Sequence, residues 1–406
     1  MSESAGMKPG WRIKQLGQAC RFIDYRGRTP KKTEAGLRLI TAKNVKMGFL
    51  QSEPAEFVSP ASYESWMTRG IPARGDVLFT TEAPLANVAQ LDTDERVVFA
   101  QRIIVLQPTE PDLDRTFLKY LLLSQSAQQR IHERGTGATV KGIKASLLKG
   151  VEISFPPLPE QQRIVAILDE AFDGIATTKA NAKKNLQNAR ALFDSRLHAV
   201  FTQRGAGWAE KRLGDIAGTQ YGLSVPMNER GKGYKIFRMG EVQDGLLIDT
   251  GRMKCADIDQ PEFEKYKLKP GDVLFNRTNS FELVGKTGIF GLSGEYCFAS
   301  YLVRVTVDPK VMLSEFLNYL MNSGMFQDSV KQKASKSINQ ANINATILSN
   351  ELIRFPQSLA LQRAVVRQLG TLRAETQRLA SVYRQKLAAL EALKKSLLDQ
   401  AFNGLL

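Results

Sequence analysis

Gly75-Asp76-Val77-Leu78-Phe79 and Gly271-Asp272-Val273-Leu274-Phe275 are the same five letters in the same order, about 200 residues apart. A Gly-Asp pair ahead of an apolar run reads as a turn that feeds a buried strand. Working outward from the two copies, the neighbourhoods match as well. Upstream, Trp11-Arg12-Ile13-Lys14-Gln15-Leu16-Gly17 returns as Trp208-Ala209-Glu210-Lys211-Arg212-Leu213-Gly214. Downstream, Phe99-Ala100 returns as Phe298-Ala299, and Phe117-Leu118-Lys119-Tyr120-Leu121 as Phe316-Leu317-Asn318-Tyr319-Leu320. Ile153-Ser154-Phe155-Pro156 then matches Ile353-Arg354-Phe355-Pro356, and Ser195 to Phe201 aligns with Ser396 to Phe402. The chain is one module written twice, with a period far above the 20–50 residues of solenoid repeats.

Each module changes periodicity partway. Its first part mixes β-rich runs (Val97 to Leu106; Tyr301 to Val307), Gly and Pro turns, and helical stretches near Phe117 to Ile131 and Phe316 to Lys331, which is a mixed α/β globule of the α+β class. From Pro159 to about Gln203 apolar residues recur mostly every three or four positions, at Ile164, Leu168, Ala171, Ile175, Ala182, Leu186, Ala189, Phe193 and Val200. The second copy keeps a four-three step through Val365, Leu369, Leu372, Thr376, Leu379, Tyr383, Lys386, Leu390, Leu393 and Leu397, with Leu387 beside the one charged position. This is a heptad seam. A helix of about 43 residues is about 65 Å long, too long for one small domain to bury, and two matched helices can pair antiparallel as a spacer between the globules. The expected organisation is a pseudo-two-fold internal repeat: globule 1–155, long helix 156–205, globule 206–355, long helix 356–406. Pro156-Pro157-Leu158-Pro159-Glu160 opens the first helix, prolines stopping earlier continuation and Glu160 complementing the positive helix end. Gln357-Ser358-Leu359-Ala360 opens the second, with Ser358 as the expected cap.

Composition narrows the function. With 406 residues, 43% hydrophobic and 24% charged, the chain has the makeup of a folded globular protein of more than one domain. Its apolar runs fall far short of the roughly 20 residues that span a bilayer, and its first residues lack the order of a secretory signal, so the expected compartment is the cytoplasm. Cys20, Cys255 and Cys297 form no CxxC pair and read as small buried hydrophobes. Lys plus Arg number 56 against 41 Asp plus Glu, a net +15 with pI near 9.6, which suits a polyanionic partner. That charge is spread: residues 1–155 carry 22 basic and 16 acidic groups, residues 206–355 carry 19 and 17, and residues 356–406 carry 8 and 3.

Catalytic signatures are missing. The sequence has no GxxxxGK[ST] phosphate loop, HExxH, GxSxG elbow or glycine-rich dinucleotide fingerprint, and no Asn/Asp-Pro-Pro-aromatic tetrapeptide. His132 and His198 fall at non-equivalent places on helical stretches, and Asp76 and Asp272 read as turn residues. No cofactor or metal site is expected.

Polar, basic loops stand at equivalent points of both globules. In the first they carry Arg26, Arg28, Lys31 and Lys32; Lys43 and Asn44; Thr80 and Thr81 after the repeated strand; and Thr139, Lys141 and Lys144 before the exit strand. In the second they carry Lys232, Arg238, then Asn276, Arg277 and Asn279, then Ser335, Lys336, Asn339, Gln340 and Asn342. Arg, Lys, Asn, Gln and Ser/Thr donors and acceptors match base edges and phosphates of double-stranded DNA. The framework repeats while these loops differ, as two readers of unlike half-sites require.

In this order of parts the chain resembles the specificity (S) subunit of Type I restriction-modification systems over essentially its whole length. The repeated Gly-Asp-Val-Leu-Phe strand with its polar loop, and the Pro-Pro-Leu-Pro-Glu-Gln-Gln-Arg-Ile helix start, carry the resemblance. It implies two target-recognition domains reading a split, asymmetric DNA site, with paired helices setting the gap. It also implies a non-catalytic chain docked to two modification (methyltransferase) subunits and, through them, restriction subunits. S-adenosylmethionine, ATP and Mg2+ would then belong to those partners, in adenine methylation and phage defence. The second helix start lacks the Pro-Leu-Pro-Glu pattern, so the two docking surfaces need not be equal. Two other readings stand beside this one: a DNA-binding or scaffold protein acting alone, and an S-like protein of another defence system. A catalytic methyltransferase would bind S-adenosylmethionine itself.

Overall fold

The computed structural model describes residues 10–25, 29–100, 102–137, 139–202, 207–337, 340–403 and 405–406. The chain divides into two compact units, Met1–Ala182 with Gln385–Leu406, and Lys183–Arg384, so each unit holds one globule and parts of both long helices.

In the first unit Arg12–Gln15 pairs antiparallel with Glu152–Phe155, a clasp through which the chain enters and leaves the globule. The Gly75-Asp76 turn closes as the sequence requires. Gly75 sits at φ +89°, Asp76 Oδ2 accepts the Ala73 N–H at 2.8 Å, and the Asp76 N–H returns to Ala73 O at 3.0 Å. The buried carboxylate also accepts from Gln107 Nε2 at 2.6 Å and pairs with Arg115 at 3.0 Å, which stitches the turn to the adjoining strand and helix. The turn launches Val77–Thr80 into an antiparallel sheet of order Cys20–Asp24, Ile103–Pro108, Val77–Thr80, Val88–Gln90. All four residues of Val77–Thr80 are buried because the strand is covered on both faces. Val77 and Phe79 join a core with Leu106, Phe117 and Leu168, while Leu78 joins another with Ile23, Leu39 and Phe99. A second sheet runs Lys32–Thr33, Phe57–Val58, Leu37–Ile40, Val97–Phe99, its last pair parallel.

The second unit repeats the plan. Trp208–Arg212 and Leu352–Pro356 form the clasp. Asp272 Oδ2 accepts the Lys269 N–H at 3.0 Å and Arg304 Nη1 at 3.1 Å. Val273–Asn276 lies inside a six-stranded sheet, Val273 and Phe275 packing with Phe316 and Leu369, and Leu274 with Phe237 and Phe298. A four-stranded sheet of Met227–Asn228, Cys255–Ala256, Tyr234–Phe237 and Tyr296–Phe298 completes the outer part. The fold is thus a tandem repeat of mixed α/β globules, each followed by a long helix.

Those helices are Leu158–Thr202 and Leu359–Asn403, 45 residues each. Pro159 lies in the first turn of one, and Ser358 Oγ caps the other by accepting the Leu361 N–H at 3.4 Å. Each start is bolted to its globule by a buried glutamine that the sequence reading did not single out. Gln161 Nε2 donates to Asp112 O and Pro156 O, both at 2.7 Å, and its Oε1 accepts the Asp114 N–H at 2.9 Å. Gln362 makes the same three bonds, to Val311 O, Pro356 O and the Leu313 N–H, at 3.0, 2.9 and 2.9 Å.

Within the first unit Ile164 and Leu168 share a core with Leu398, Ala401 and Phe402, and Lys179 pairs with Glu391, so the helix segments there run antiparallel. Within the second, Phe201 and Leu197 share a core with Leu369 and Val365, while Ala189 and Ala380 line one cleft, again antiparallel. Ile164, Leu168, Ile175 and Leu369 are buried; Leu186, Phe193, Leu372, Leu379, Leu390 and Leu397 are half-buried. Leu393 departs from the expected seam and is 47% exposed. A 3.6-residue turn drifts off a heptad, and here Lys394 turns inward over the Phe172 ring at 4.9 Å, with Leu398 and Ala401 carrying the seam onward. Thr376 stays in the seam because its hydroxyl bonds to Leu372 O at 2.9 Å.

Candidate nucleic-acid interface

Two of the polar loops of each globule meet on one edge, joined by equivalent backbone bonds. In the first unit the Thr81 N–H donates to Arg102 O at 2.8 Å and the Ile143 N–H to Thr81 O at 2.9 Å, with bridges from Gly142 to Glu82 and Thr136. In the second the Arg277 N–H donates to Tyr301 O at 3.0 Å and the Ile343 N–H to Arg277 O at 2.8 Å. There the contact grows into a three-stranded sheet, Thr278–Asn279, Gln340–Asn342, Ser335–Ser337. The loop after the repeated strand and the loop before the exit strand therefore make a single platform in each globule.

The expected contact residues divide sharply. Arg26, Arg28 and Asn339 lie outside the described residues. Lys31, Lys43, Thr139, Lys141, Lys144, Ser335, Lys336 and Gln340 are exposed. Lys32 is paired with Glu56 at 2.8 Å and Lys232 with Asp257 at 2.7 Å, both at the surface, where such pairs exchange readily for a phosphate. Others are builders of the loops. Asn44 is wholly buried: its Oδ1 accepts from Thr41 N and Oγ1, both at 2.9 Å, and its Nδ2 donates to Gln51 O and Pro54 O. Thr80, also buried, donates to Pro84 O at 2.6 Å and accepts the Asn87 N–H at 2.9 Å, and Thr81 is buried beside it. Arg238 pairs with the buried Glu241 at 2.8 Å. Asn276 is buried, and Asn279 Oδ1 accepts the Ser280 N–H at 2.9 Å.

Arg277 is a clamp. Its guanidinium donates to Ser300 O and to Asn342 Oδ1, each at 3.2 Å, and lies 5.0 Å over the Tyr221 ring. The side chain most suggestive of base readout instead ties the three-stranded sheet to the strand below, through a partner 65 residues away that no local pattern announces. Among the described residues, buried polar atoms without a protein hydrogen bond occur singly at Asp76, Arg130 and Arg238, and on three consecutive positions here: Asn276 Oδ1, Arg277 Nε and Thr278 Oγ1.

The second platform also has a longer rim. Ala86 N–H closes on Thr80 O in the first unit and Gly285 N–H on Asn276 O in the second, so the loop between is three residues longer in the second. The extra length presents Phe281, 42% exposed, with Lys336 Nζ 4.2 Å over its ring. The Glu282 carboxyl is held below its ordinary range by its own backbone N–H, the Ser280 hydroxyl and nearby Lys331.

The chemistry elsewhere is quiet. Burial pushes the thiols of Cys20 and Cys297 up to about 12, so they stay protonated, and Cys255 is buried. His132 and His198 are exposed. Among the described residues no group of His, Cys, Asp and Glu could hold a metal, and no helix is long and apolar enough to cross a membrane. A cleft of about 450 Å³ in the second unit is lined by Arg190, Arg373 and Arg384 facing Asp194 and Asp244. Burial and Asp244 raise the Asp194 pKa. In the first unit Phe172 packs edge-on against Tyr120 at 5.4 Å, and the Tyr120 hydroxyl bonds to Asp169.

The family described as Type I restriction modification DNA specificity domain matches the chain twice, over residues 10–188 and 206–385. The StySPI Type I restriction enzyme specificity subunit of Salmonella potsdam is 24% identical over 97% of this chain and 89% of its own length. The EcoKI specificity subunit of Escherichia coli K12 is 24% identical over 99% and 90%. Among solved structures, a chain from work on complex assembly and conformational transition of the type I R-M system superposes with a TM-score of 0.76 at 22% identity, over 98% of both chains. The HsdS subunit of Thermoanaerobacter tengcongensis gives a TM-score of 0.58 at 22% identity over the full length of both. With each repeat matched separately, each bearing its own loop platform, this chain belongs to the Type I restriction-modification DNA specificity family.

Proposed function

We propose that this chain is the sequence-reading subunit of a Type I restriction-modification complex, in which each globule reads one half of a split, asymmetric site in double-stranded DNA. The observation that carries this reading is the pair of unlike platforms on like scaffolds. The backbone bonds at Thr81 and Arg277 are equivalent, while the side chains and loop lengths around them differ. Equal platforms would read a palindrome; unequal ones suit two different half-sites. The exposed lysines at the rims supply phosphate contacts, and polar side chains between them supply contacts to base edges.

On this reading the chain performs no chemistry. Two modification subunits dock along the long helices and supply adenine methylation with S-adenosylmethionine. Restriction subunits, joined through them, use ATP and Mg2+, and the assembly works in the cytoplasm. Around the repeated tyrosine the neighbours differ: Tyr319 shares the arginine-lined cleft of the second unit with Phe193 and Asn318, whereas Tyr120 of the first packs on Phe172 with Lys119 Nζ 4.0 Å over its ring, which supports docking surfaces of unequal character.

The test is single-molecule methylome sequencing of a host carrying this chain with a neighbouring modification gene, beside a host lacking only this chain. The expected result is a split motif with methylated adenine in both halves that depends on the chain. With the partner expressed, absence of any chain-dependent motif would transfer the weight to a scaffold or lone DNA-binding protein.

A further inference from the structure

We infer that Phe281 reads a thymine through its 5-methyl group in the half-site bound by the second globule, with Lys336 holding the adjacent phosphate. This rests on the specificity reading above and adds to it one residue that its sequence did not nominate. The loop carrying Phe281 is the main length difference between the two platforms: the chain from the repeated strand to the next closing bond is three residues longer in the second unit. In the first unit the corresponding loop ends on Leu85, which is buried in the core. The longer loop is not slack. Val284 is wholly buried, Gln327 Nε2 donates to Gly285 O at 2.8 Å, Lys331 Nζ donates to Glu282 O at 3.1 Å, and Asn279 Oδ1 holds the Ser280 N–H. Phe281 and Leu283, 40% exposed two residues further on, make an exposed apolar pair on this anchored loop, which is suited to meet something apolar.

Its setting selects the partner. Lys336 lies opposite Ala341, which lies opposite Asn279, so the lysine and the phenylalanine loop flank the same three-stranded sheet. The ammonium 4.2 Å over the ring covers one face. A side chain that wedges between base pairs needs both faces free for stacking, so the covered ring is suited to edge contact instead. In the major groove the apolar feature presented to such an edge is the thymine 5-methyl group, and Phe is among the side chains that contact it. Lys336 keeps three donors for a phosphate while its charge rests on the ring.

The experiment uses the assembled complex and duplexes bearing the motif found by methylome sequencing. Each thymine of the half-site read by the second globule is replaced singly by deoxyuridine, which deletes only the methyl group. One position is expected to lose three- to tenfold in affinity, and Phe281→Ala is expected to lose as much on thymine DNA and to be indifferent to the replacement. Lys336→Gln is expected to keep the deoxyuridine effect while flattening the salt dependence by about one phosphate contact. If no thymine is sensitive with the unaltered chain, or the half-site has no A·T pair, the inference is overturned whatever the variants do. An unchanged deoxyuridine effect in Phe281→Ala overturns it as well. Failure of the unaltered complex to bind any motif would instead overturn the specificity reading and this inference with it.

Discussion

Arg277 illustrates what one side chain does when its surroundings decide its role. Sequence chemistry places it among the readers, and its bonds to Ser300 O and Asn342 Oδ1 and its stacking on Tyr221 make it the clamp of the second platform. A lysine keeps the charge but neither the fork of donors nor the flat stacking surface. Arg277→Lys is therefore expected to destabilise the second unit by about 1–3 kcal/mol. Hydrogen exchange on the full chain should show faster exchange across 335–342 and no change at 136–144. Unchanged exchange together with altered DNA preference would make Arg277 a reader after all. At this scale the sequence showed which residue types the loops carry, because Asn, Arg and Lys are visible as letters. It did not show which of them hold the loop together. The four bonds of Asn44 are local, yet an Asn that closes a loop and an Asn that faces a base are the same letter. Asp76 and Asp272 were legible because a turn is a four-residue event.

At the scale of elements, the long helices were legible from their period, and the departure at Leu393 marks where period alone fails. The seam is decided by what each turn meets, and beside Lys394 it meets Phe172 and the second helix of its own unit. Burial, helped by Lys179, lowers the Lys394 pKa, and burial, with Lys394 nearby, lowers that of Lys119. Both groups hold a proton less tightly folded than unfolded, so the unfolded chain binds more protons as pH climbs toward the ordinary lysine value of 10.5. The contribution of these two lysines to the stability of the first unit should accordingly rise with pH on the alkaline side of neutrality, while the buried Cys20 thiol, pushed up to about 12, contributes in the opposite direction above its ordinary 9.0. Lys394→Leu is expected to flatten that rise and to raise the melting temperature by about 2–4 °C, through about 1 kcal/mol of relieved burial cost. Calorimetry of the full chain at pH 7 and pH 9.5 checks it. A variant with lower stability at both values would mean that the ammonium over Phe172 outweighs its own desolvation.

At the scale of the whole chain, the repeat was legible because the strands and clasps keep their letters, and the antiparallel course of the helices because their lengths and seams match, but the ring contacts that seat each helix end were not. Phe402 packs on Phe117 at 5.3 Å and 63°, and Phe201 packs on Phe316 at 5.3 Å and 64°. Each globule thus receives the end of the helix that starts from the other copy, a pairing that alignment of Ser195–Phe201 with Ser396–Phe402 cannot assign. Both helices consequently pass from one unit to the other, the first after Ala182 and the second after Arg384. If they set the gap between readers, as proposed, lengthening one alone breaks the match of its seam with its partner. Four residues inserted after Ala182 add about 6 Å and little rotation, since four residues are close to one turn. The single insertion is expected to impair assembly with the modification subunits. The same insertion after Arg384 as well should restore assembly and lengthen the unread stretch of the DNA motif by about two base pairs, at about 3.4 Å each. Methylome sequencing reads that spacing directly. A doubly lengthened chain that assembles and methylates with the original spacing would show that the helices join the readers without measuring the distance between their sites.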